Sequence, residues 1–135
     1  MLKRIHHVAI ICSDPHASCR FYTEVLGLRL VAQAFRAERN SWKIDLALPD
    51  GGQLELFSFP GAPPRPSYPE AQGLRHLAFE VEDLDACTRR LQAQGVVVEA
   101  ARLDAATGRR FVFFADPDGL PLELVEAAPV ASSGP

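Results

Sequence analysis

The chain is poor in the residues that mark several specialised classes of protein. Its 135 residues include three cysteines, two lysines, one methionine and one tryptophan. No apolar run approaches the roughly 20 residues that cross a bilayer, and no apolar secretory segment follows the first methionine. The net charge of −3 leaves no broad basic surface for nucleic acid. We therefore expect a cytoplasmic protein with neither a membrane nor a nucleic acid as partner.

The cysteines form no recognisable framework. Cys12, Cys19 and Cys87 are odd in number and lack CxxC spacing, which argues against disulfide scaffolds and zinc ribbons. Apolar residues make up 47% of the chain and charged residues 23%, as in an ordinary globular domain. We interpret the cysteines as free thiols of a protein that resides in a reducing compartment.

The most informative feature is an internal repeat. His7 aligns with His76 and Asp14 with Asp83 at an offset of 69 residues. Later in each copy, DGGQLEL at 50–56 aligns with DGLPLEL at 118–124, with five identities in seven positions. Self-similarity over half the chain indicates two copies of one structural module.

Each copy predicts one strand, one helix and three more strands, a βαβββ module. Asp14 and Asp83 are suited to cap the helices, and Gly27 and Gly95 to end them. The predicted buried helix faces are Ala17, Phe21 and Val25, and Leu84, Cys87 and Leu91. The predicted strands cover 5–11, 28–36, 42–48 and 54–59, then 74–81, 96–103, 111–115 and 122–126.

The predicted fold class is α+β, with two tandem βαβββ modules forming a cupped mixed sheet around a cleft. Module one spans 5–59, a proline-rich connector 60–73, module two 74–126 and a flexible tail 127–135. A half of about 60 residues with one helix has a marginal core. We therefore predict one domain over 1–135.

Side-chain alternation points to a metal site. His7 alternates with Val8, and Glu55 lies between two leucines, so each polar side chain points away from the apolar face. His76 and Glu123 repeat the pattern in module two. Two imidazoles and two carboxylates are suitable ligands for Ni, Zn, Co, Mn or Fe(II). His6 and His16 do not share this placement, and we do not predict them as ligands.

The motifs resemble those of the vicinal oxygen chelate superfamily, from Ile5 to about Glu126. That superfamily includes glyoxalase I, methylmalonyl-CoA epimerase, extradiol dioxygenases and proteins of fosfomycin and bleomycin resistance. The motifs that carry the resemblance are HHVAI, FYTEVLGL, LELF, RHLAF and DPDGLPLEL. SWKIDLAL and FSFP are similar to segments of small bacterial glyoxalase-I-like proteins.

The resemblance implies a function as well as a fold. Glyoxalase I has His, Glu, His and Glu ligands, which map onto His7, Glu55, His76 and Glu123, whereas the epimerase has Gln in place of Glu55. It implies a divalent-metal-dependent lyase or isomerase that converts a hemithioacetal or α-hydroxy-carbonyl through an enediolate. Glu123 would be the catalytic base and Glu55 its counterpart. The resemblance further implies one divalent metal per site, no organic cofactor, glutathione as an optional cosubstrate, and a homodimer.

Other functions remain open at this point. One alternative is another metal enzyme on the same scaffold, an extradiol dioxygenase or a thiol transferase. Another is a non-catalytic protein that binds a small molecule. For the small-molecule substrate, the segment 36–43 offers an anion clamp, although an exposed hairpin would have a similar composition. The clamp candidates are Arg36, Arg39, Asn40, Trp42 and Lys43.

Overall fold

The computed structural model describes residues 1–129 and contains two compact units, Met1–Arg65 and the part of the chain from Pro66 onward. Each unit carries one copy of the repeat. Residues 130–135 of the predicted tail lie outside the described residues. Within residues 1–129, no helix has the length and apolar character needed to cross a membrane.

The first unit has one four-stranded mixed sheet. The strands have the order β1-β4-β3-β2, with β1 parallel to β4 and the other pairs antiparallel. Helix α1 continues into a π-helical segment, Phe21–Val25, and a 3-10 turn, Ala37–Arg39, joins β2 to β3. The elements are β1 (His7–Ile11), α1 (Pro15–Arg20), β2 (Arg29–Arg36), β3 (Ser41–Ala47) and β4 (Gln53–Phe57).

The second unit repeats this arrangement. Its strands have the order β5-β8-β7-β6, again with the first and last strands of the module parallel. The predicted α+β class and the βαβββ modules are therefore confirmed. The elements are β5 (Leu77–Val81), α2 (Leu84–Ala93), β6 (Arg102–Leu103), β7 (Arg110–Ala115) and β8 (Pro121–Glu126).

Both helices begin and end as their capping residues predict. The Asp14 carboxylate accepts hydrogen bonds from the backbone N–H groups of His16 and Ala17, both at 3.1 Å. In α2, Asp83 accepts the N–H of Ala86 at 3.0 Å. These bonds satisfy N–H groups that have no partner within the helix. After each helix, Gly27 and Gly95 adopt positive φ, the conformation expected of a glycine C-cap.

One predicted strand is mostly wrong. Within 96–103 only Arg102–Leu103 is a strand, while residues 96–101 run without regular pairing. Val97 is 87% exposed, and Val96 and Val98 beside it are only half-buried. The stretch makes one backbone hydrogen bond to β7, from the Glu99 N–H to the Phe113 carbonyl at 2.9 Å. A run of β-branched residues indicates strand propensity, but burial and partners decide whether a strand forms. The strand predicted for 74–81 also begins later, at Leu77.

The buried face of the first helix also differs from the prediction. Ser18 and Tyr22 are fully buried, whereas Ala17, Phe21 and Val25 are only half-buried. The difference is already present at Ser18, in α1 before the π-helical segment, so the helix turns toward the interior a face displaced by one residue, about 100°, from the predicted one. In α2 the prediction is confirmed for Leu84 and Leu91, and Cys87 is half-buried.

In the first unit, aromatic contacts attach the start of α1 to the sheet. The Trp42 ring lies edge-on to His16, with centroids 4.7 Å apart, and contacts Phe35 at 5.5 Å. Its backbone N–H donates to the Ser58 hydroxyl at 3.0 Å. Trp42 thus lies on the helix face of β3 and does not join Lys43, its neighbour in the predicted clamp.

In the second unit, ion pairs occupy the positions equivalent to those aromatic contacts. Arg110 aligns with Trp42, Asp85 with His16 and Glu126 with Ser58 in the repeat. The Arg110 guanidinium pairs with Asp85 at 3.2 Å and with Glu126 at 2.9 Å. The same structural task, holding the helix to the last strands, is therefore performed by different chemistry.

We predict that Ser18→Ala raises the free energy of unfolding by about 1 kcal/mol. The Ser18 hydroxyl is buried and has no hydrogen-bond partner among the described residues, so removing it relieves an unsatisfied group. Ser41 is the matched control, because it is equally buried but donates to the Trp42 carbonyl at 3.2 Å. Chemical denaturation should show no gain for Ser41→Ala, and equal losses in both variants would contradict this account.

We predict that Trp42→Ala lowers the free energy of unfolding by about 2 kcal/mol, because it removes the half-buried ring that contacts α1. Arg39→Ala, in the exposed turn that precedes β3, should change it by less than about 0.5 kcal/mol. Urea denaturation measures both. If Trp42→Ala left stability unchanged, the ring would not attach the helix.

Candidate metal centre

The first half of the candidate site follows from strand register. β1 and β4 pair in parallel with Ala9 opposite Glu55, and His7 precedes Ala9 by two residues. His7 and Glu55 therefore point to the same side of the sheet. The other side of β4 carries Leu54 and Leu56, which are fully buried. Packing of the leucines thus fixes the direction of the carboxylate.

The second unit has the same register. Ala78 pairs with Glu123, and His76 lies two residues before Ala78, immediately before β5 begins. Leu122 and Leu124 are buried on the opposite side of β8. Each unit therefore presents one histidine and one glutamate from equivalent positions on the side of its sheet opposite the buried leucines. We call this side the open face.

The first pair is in direct contact. The Nδ1 atom of His7 lies 3.4 Å from Oε2 of Glu55, and the two side chains are 41% and 11% exposed. A neighbouring imidazole, that of His6, places its own Nδ1 2.9 Å from the Nδ1 of His7. These contacts occupy one ring nitrogen of His7 and leave Nε2 for a further ligand.

Two charged residues complete this half of the site, and Asp45 was missed by sequence reasoning. Asp45 pairs in register with Glu55, and the Lys43 ammonium lies 2.6 Å from Asp45 and 3.6 Å from Glu55. The hydrogen bond to Asp45 raises the pKa of Lys43 above its ordinary value, against the opposing effect of burial. The alternation of Lys43 and Asp45 was the available signal. The lysine partly balances the two carboxylates.

The second half of the site is apolar by comparison. Phe113 lies opposite Glu123 in register, at the position that Asp45 occupies in the first unit. The His76 ring is edge-on to Phe113, with centroids 5.1 Å apart. The Nδ1 atom of His76 is buried and has no hydrogen-bond partner among the described residues. The two halves share strand positions but differ in charge.

The residues present fit a divalent cation. Nitrogen and oxygen donors are the set that Zn, Ni, Co, Mn and Fe(II) accept, and the unpartnered His76 nitrogen is suited to an additional interaction. Over residues 1–129, no group of three or more His, Cys, Asp or Glu side chains is gathered closely enough to hold a metal. Each unit contributes one histidine and one glutamate of the four predicted ligands.

The predicted substrate clamp is only partly brought together. Arg36 and Lys43 lie on the face of Glu55, as their register across β2, β3 and β4 requires. Arg39 and Asn40 lie in the turn between β2 and β3, where Asn40 has φ of +47°. Trp42 faces the helix. Sequence reasoning missed Phe57, whose ring lies beneath the Arg36 guanidinium at 5.1 Å.

The cysteines take no part in the site. All three are free, as predicted, and Cys12 is buried. Burial raises the pKa of the Cys19 thiol above its ordinary value, which disfavours the reactive thiolate. Nucleophilic chemistry at a cysteine therefore has no support in this arrangement.

Curated proteins of named activity are similar to the chain at moderate identity. The chain is 30% identical to a lactoylglutathione lyase from Salmonella typhimurium, over 92% of this chain and 93% of that protein. It is 32% identical to the glutathione transferase FosA from Serratia marcescens, over 92% and 81%. It is 33% identical to a 2-epi-5-epi-valiolone epimerase from Actinomyces, over 90% and 78%. These names describe three different reactions.

Other relatives are more similar but carry no named activity. The chain is 54% identical to the uncharacterized protein YaeR of Escherichia coli, over 93% of this chain and 97% of that protein. A crystal structure of a glyoxalase family protein from Enterococcus faecalis is 49% identical over 92% of this chain and 98% of that chain, with a TM-score of 0.85. The family profile for the Glyoxalase/Bleomycin resistance protein/Dioxygenase superfamily matches residues 4–124. The chain therefore belongs to that superfamily.

Proposed function

We propose that the protein is a divalent-metal-dependent lyase or isomerase of glyoxalase-I type, acting on a hemithioacetal or α-hydroxy-carbonyl. The observation that carries the proposal is the repeated histidine–glutamate pair, at the same register on the open face of each unit. In the proposal His7, Glu55, His76 and Glu123 hold one ion. The carboxylates balance its charge and the imidazoles are neutral ligands.

The chemistry needs a Lewis acid and a base. When bound, the divalent cation would polarise adjacent substrate oxygens and make the neighbouring C–H bond more acidic. Glu123 would accept the proton from that carbon and return it to the adjacent carbon. One C–H and one O–H bond break, and one C–H and one O–H bond form on the neighbouring carbon and oxygen, so the substrate is isomerised with no other reactant.

The surroundings of the two glutamates support Glu123 as the base. Glu55 contacts His7 at 3.4 Å and Lys43 at 3.6 Å, which holds its carboxylate in place. The Glu123 side chain has Phe113 as its register partner, and its charged neighbour is Arg75, whose guanidinium is already paired with Glu70 at 3.2 Å. A carboxylate that is held less tightly than Glu55 is better placed to take up and return a proton.

The comparisons include a lyase and an epimerase, which support the proposal, and also an enzyme that catalyses a different reaction. Lactoylglutathione lyase is among the similar enzymes, but a glutathione transferase and an epimerase are similar to about the same degree. The presence of Glu55 favours the lyase, because the resemblance implies four ligands for glyoxalase I and three for the transferase. Glutathione is then the proposed cosubstrate, and the three free cysteines agree with a location in the reducing cytoplasm.

We predict that metal binding stabilises the protein. Ni, Zn, Co or Mn at about 1,000 times its dissociation constant should raise the free energy of unfolding by about 4 kcal/mol if only the native state binds. His76→Ala should lose this gain. His16→Ala is the matched control, because His16 packs against Trp42 on the helix face, and its variant should keep the gain. Absence of any metal-dependent gain in the unmodified protein would overturn the metal site.

We predict that the metal-loaded protein converts the methylglyoxal–glutathione hemithioacetal without consuming oxygen. Glu123→Gln should lower kcat by about 100-fold or more, since the base is lost. Glu24→Gln, an exposed position on the π-helical segment, should leave kcat unchanged. Oxygen uptake, transfer of the thiol to an epoxide, or ligand binding without turnover would each replace the lyase with one of the alternatives.

The proposal includes a homodimer. β1 is an edge strand of its sheet, and Ile5, just before it, and Ile11, at its end, are mostly exposed. Apolar side chains at an unpaired edge favour association with another chain. Analytical ultracentrifugation should give about 30 kDa, twice the chain mass of 14.8 kDa. A monomer at micromolar concentration would contradict the dimer.

A further inference from the structure

The Arg36 side chain has no counter-charge on the open face of the first unit. Its guanidinium carbon lies 5.1 Å from the centre of the Phe57 ring. Its Nε atom is buried and has no hydrogen-bond partner among the described residues. A buried donor that has left water without gaining an acceptor is energetically costly. A ligand with an acceptor group would remove this cost.

A second arginine, Arg102, makes the same kind of aromatic contact but has a carboxylate partner. Arg102 lies over Phe111 at 5.1 Å and over Phe113 at 5.5 Å. Unlike Arg36, however, Arg102 forms an ion pair with Glu99 at 3.6 Å. Arg102 shows that an arginine stacked on an aromatic ring can also have a carboxylate partner. The stacking of Arg36 on Phe57 therefore does not account for the missing partner of Arg36.

Arg36 lies on the same face of the sheet as Glu55, one of the proposed metal ligands. Phe57 follows Glu55 by two residues on the same face of β4, a distance of about 7 Å along the strand. Lys43 lies opposite Phe57, but its ammonium is already bonded to Asp45 at 2.6 Å. A small molecule with oxygens near Glu55 could therefore place a second polar group at Arg36.

We propose that Arg36 binds a carboxylate of the substrate, with the Phe57 ring as the surface beneath it. The guanidinium offers Nε–H and Nη–H groups in one plane, a geometry that matches the two oxygens of a carboxylate. The substrate class is a small organic acid whose reacting oxygens lie several ångströms from its carboxylate. Its orientation toward Glu55 rests on the proposed function, whereas carboxylate binding at Arg36 does not.

The first experiment needs no metal. Glutarate is titrated into ¹⁵N-labelled protein, and the shifts of the arginine Nε–H signals and of the amides around Phe57 are measured. We expect a saturable shift of the Arg36 signal and a dissociation constant about tenfold higher in Arg36→Met. Arg102→Met removes the comparable stacked arginine and should leave the constant unchanged.

Two results of this titration would overturn the inference. One is equal glutarate affinity in the unmodified protein and in Arg36→Met. The other is tighter binding of methylphosphonate than of glutarate, which would indicate a tetrahedral anion. If Arg36→Met does not fold, Arg36→Lys replaces it, because lysine keeps the charge but lacks the planar pair of donors. Unchanged glutarate affinity in that variant would overturn the inference too.

A second experiment links the subsite to the metal. Calorimetry on the nickel-loaded protein compares acetohydroxamate with glutaric acid monohydroxamate, which adds a carboxylate to the same chelating group. We expect the second to bind about tenfold more tightly, and Arg36→Met to remove this advantage. Equal affinities in the unmodified protein would overturn the inference. If neither hydroxamate bound, the metal proposal would fail. The metal-free titration would then be the test of carboxylate binding at Arg36.

Discussion

The parallel pairing of the first and last strand in each module is the constraint on which the site depends. In β4, Leu54 and Leu56 must be buried, so Glu55 between them must face outward. The register with β1 then places His7 on the same side. A slip of one residue would turn the carboxylate toward the core and the leucines toward solvent, at a large cost in free energy. Hydrophobic packing, rather than any contact at the site, therefore positions these polar side chains.

The two copies keep this geometry and differ in the groups around it. Beside Glu55 stands Asp45 with Lys43, whereas the position facing Glu123 is Phe113. A similar exchange occurs on the helix face, where Trp42 in one unit corresponds to Arg110 in the other. A repeat can thus fix where side chains point while each copy acquires its own electrostatics. This asymmetry is the physical reason for the different roles that we propose for Glu55 and Glu123.

Much of the fold could be predicted from the sequence, because it depends on local patterns. Alternation in the short strands, aspartate caps and glycine ends identified the modules, and the outward direction of His7 and Glu55 followed from parity. The predictions that failed concern features that depend on contacts between elements distant in the sequence. The valines before Glu99 indicated a strand that finds no regular pairing, and the buried face of the first helix is displaced by one residue, onto Ser18 and Tyr22. The opposite directions of Trp42 and Lys43 could have been read from alternation within the clamp.

The central proposal is that the histidine and the glutamate of each unit are ligands of a divalent metal ion. X-ray absorption spectroscopy of the nickel- or zinc-loaded protein, combined with metal analysis, tests it directly by counting imidazole ligands. We expect one ion per chain, two imidazoles per ion and only nitrogen or oxygen neighbours. One imidazole per ion, sulfur in the first coordination shell, or two ions per chain would contradict it.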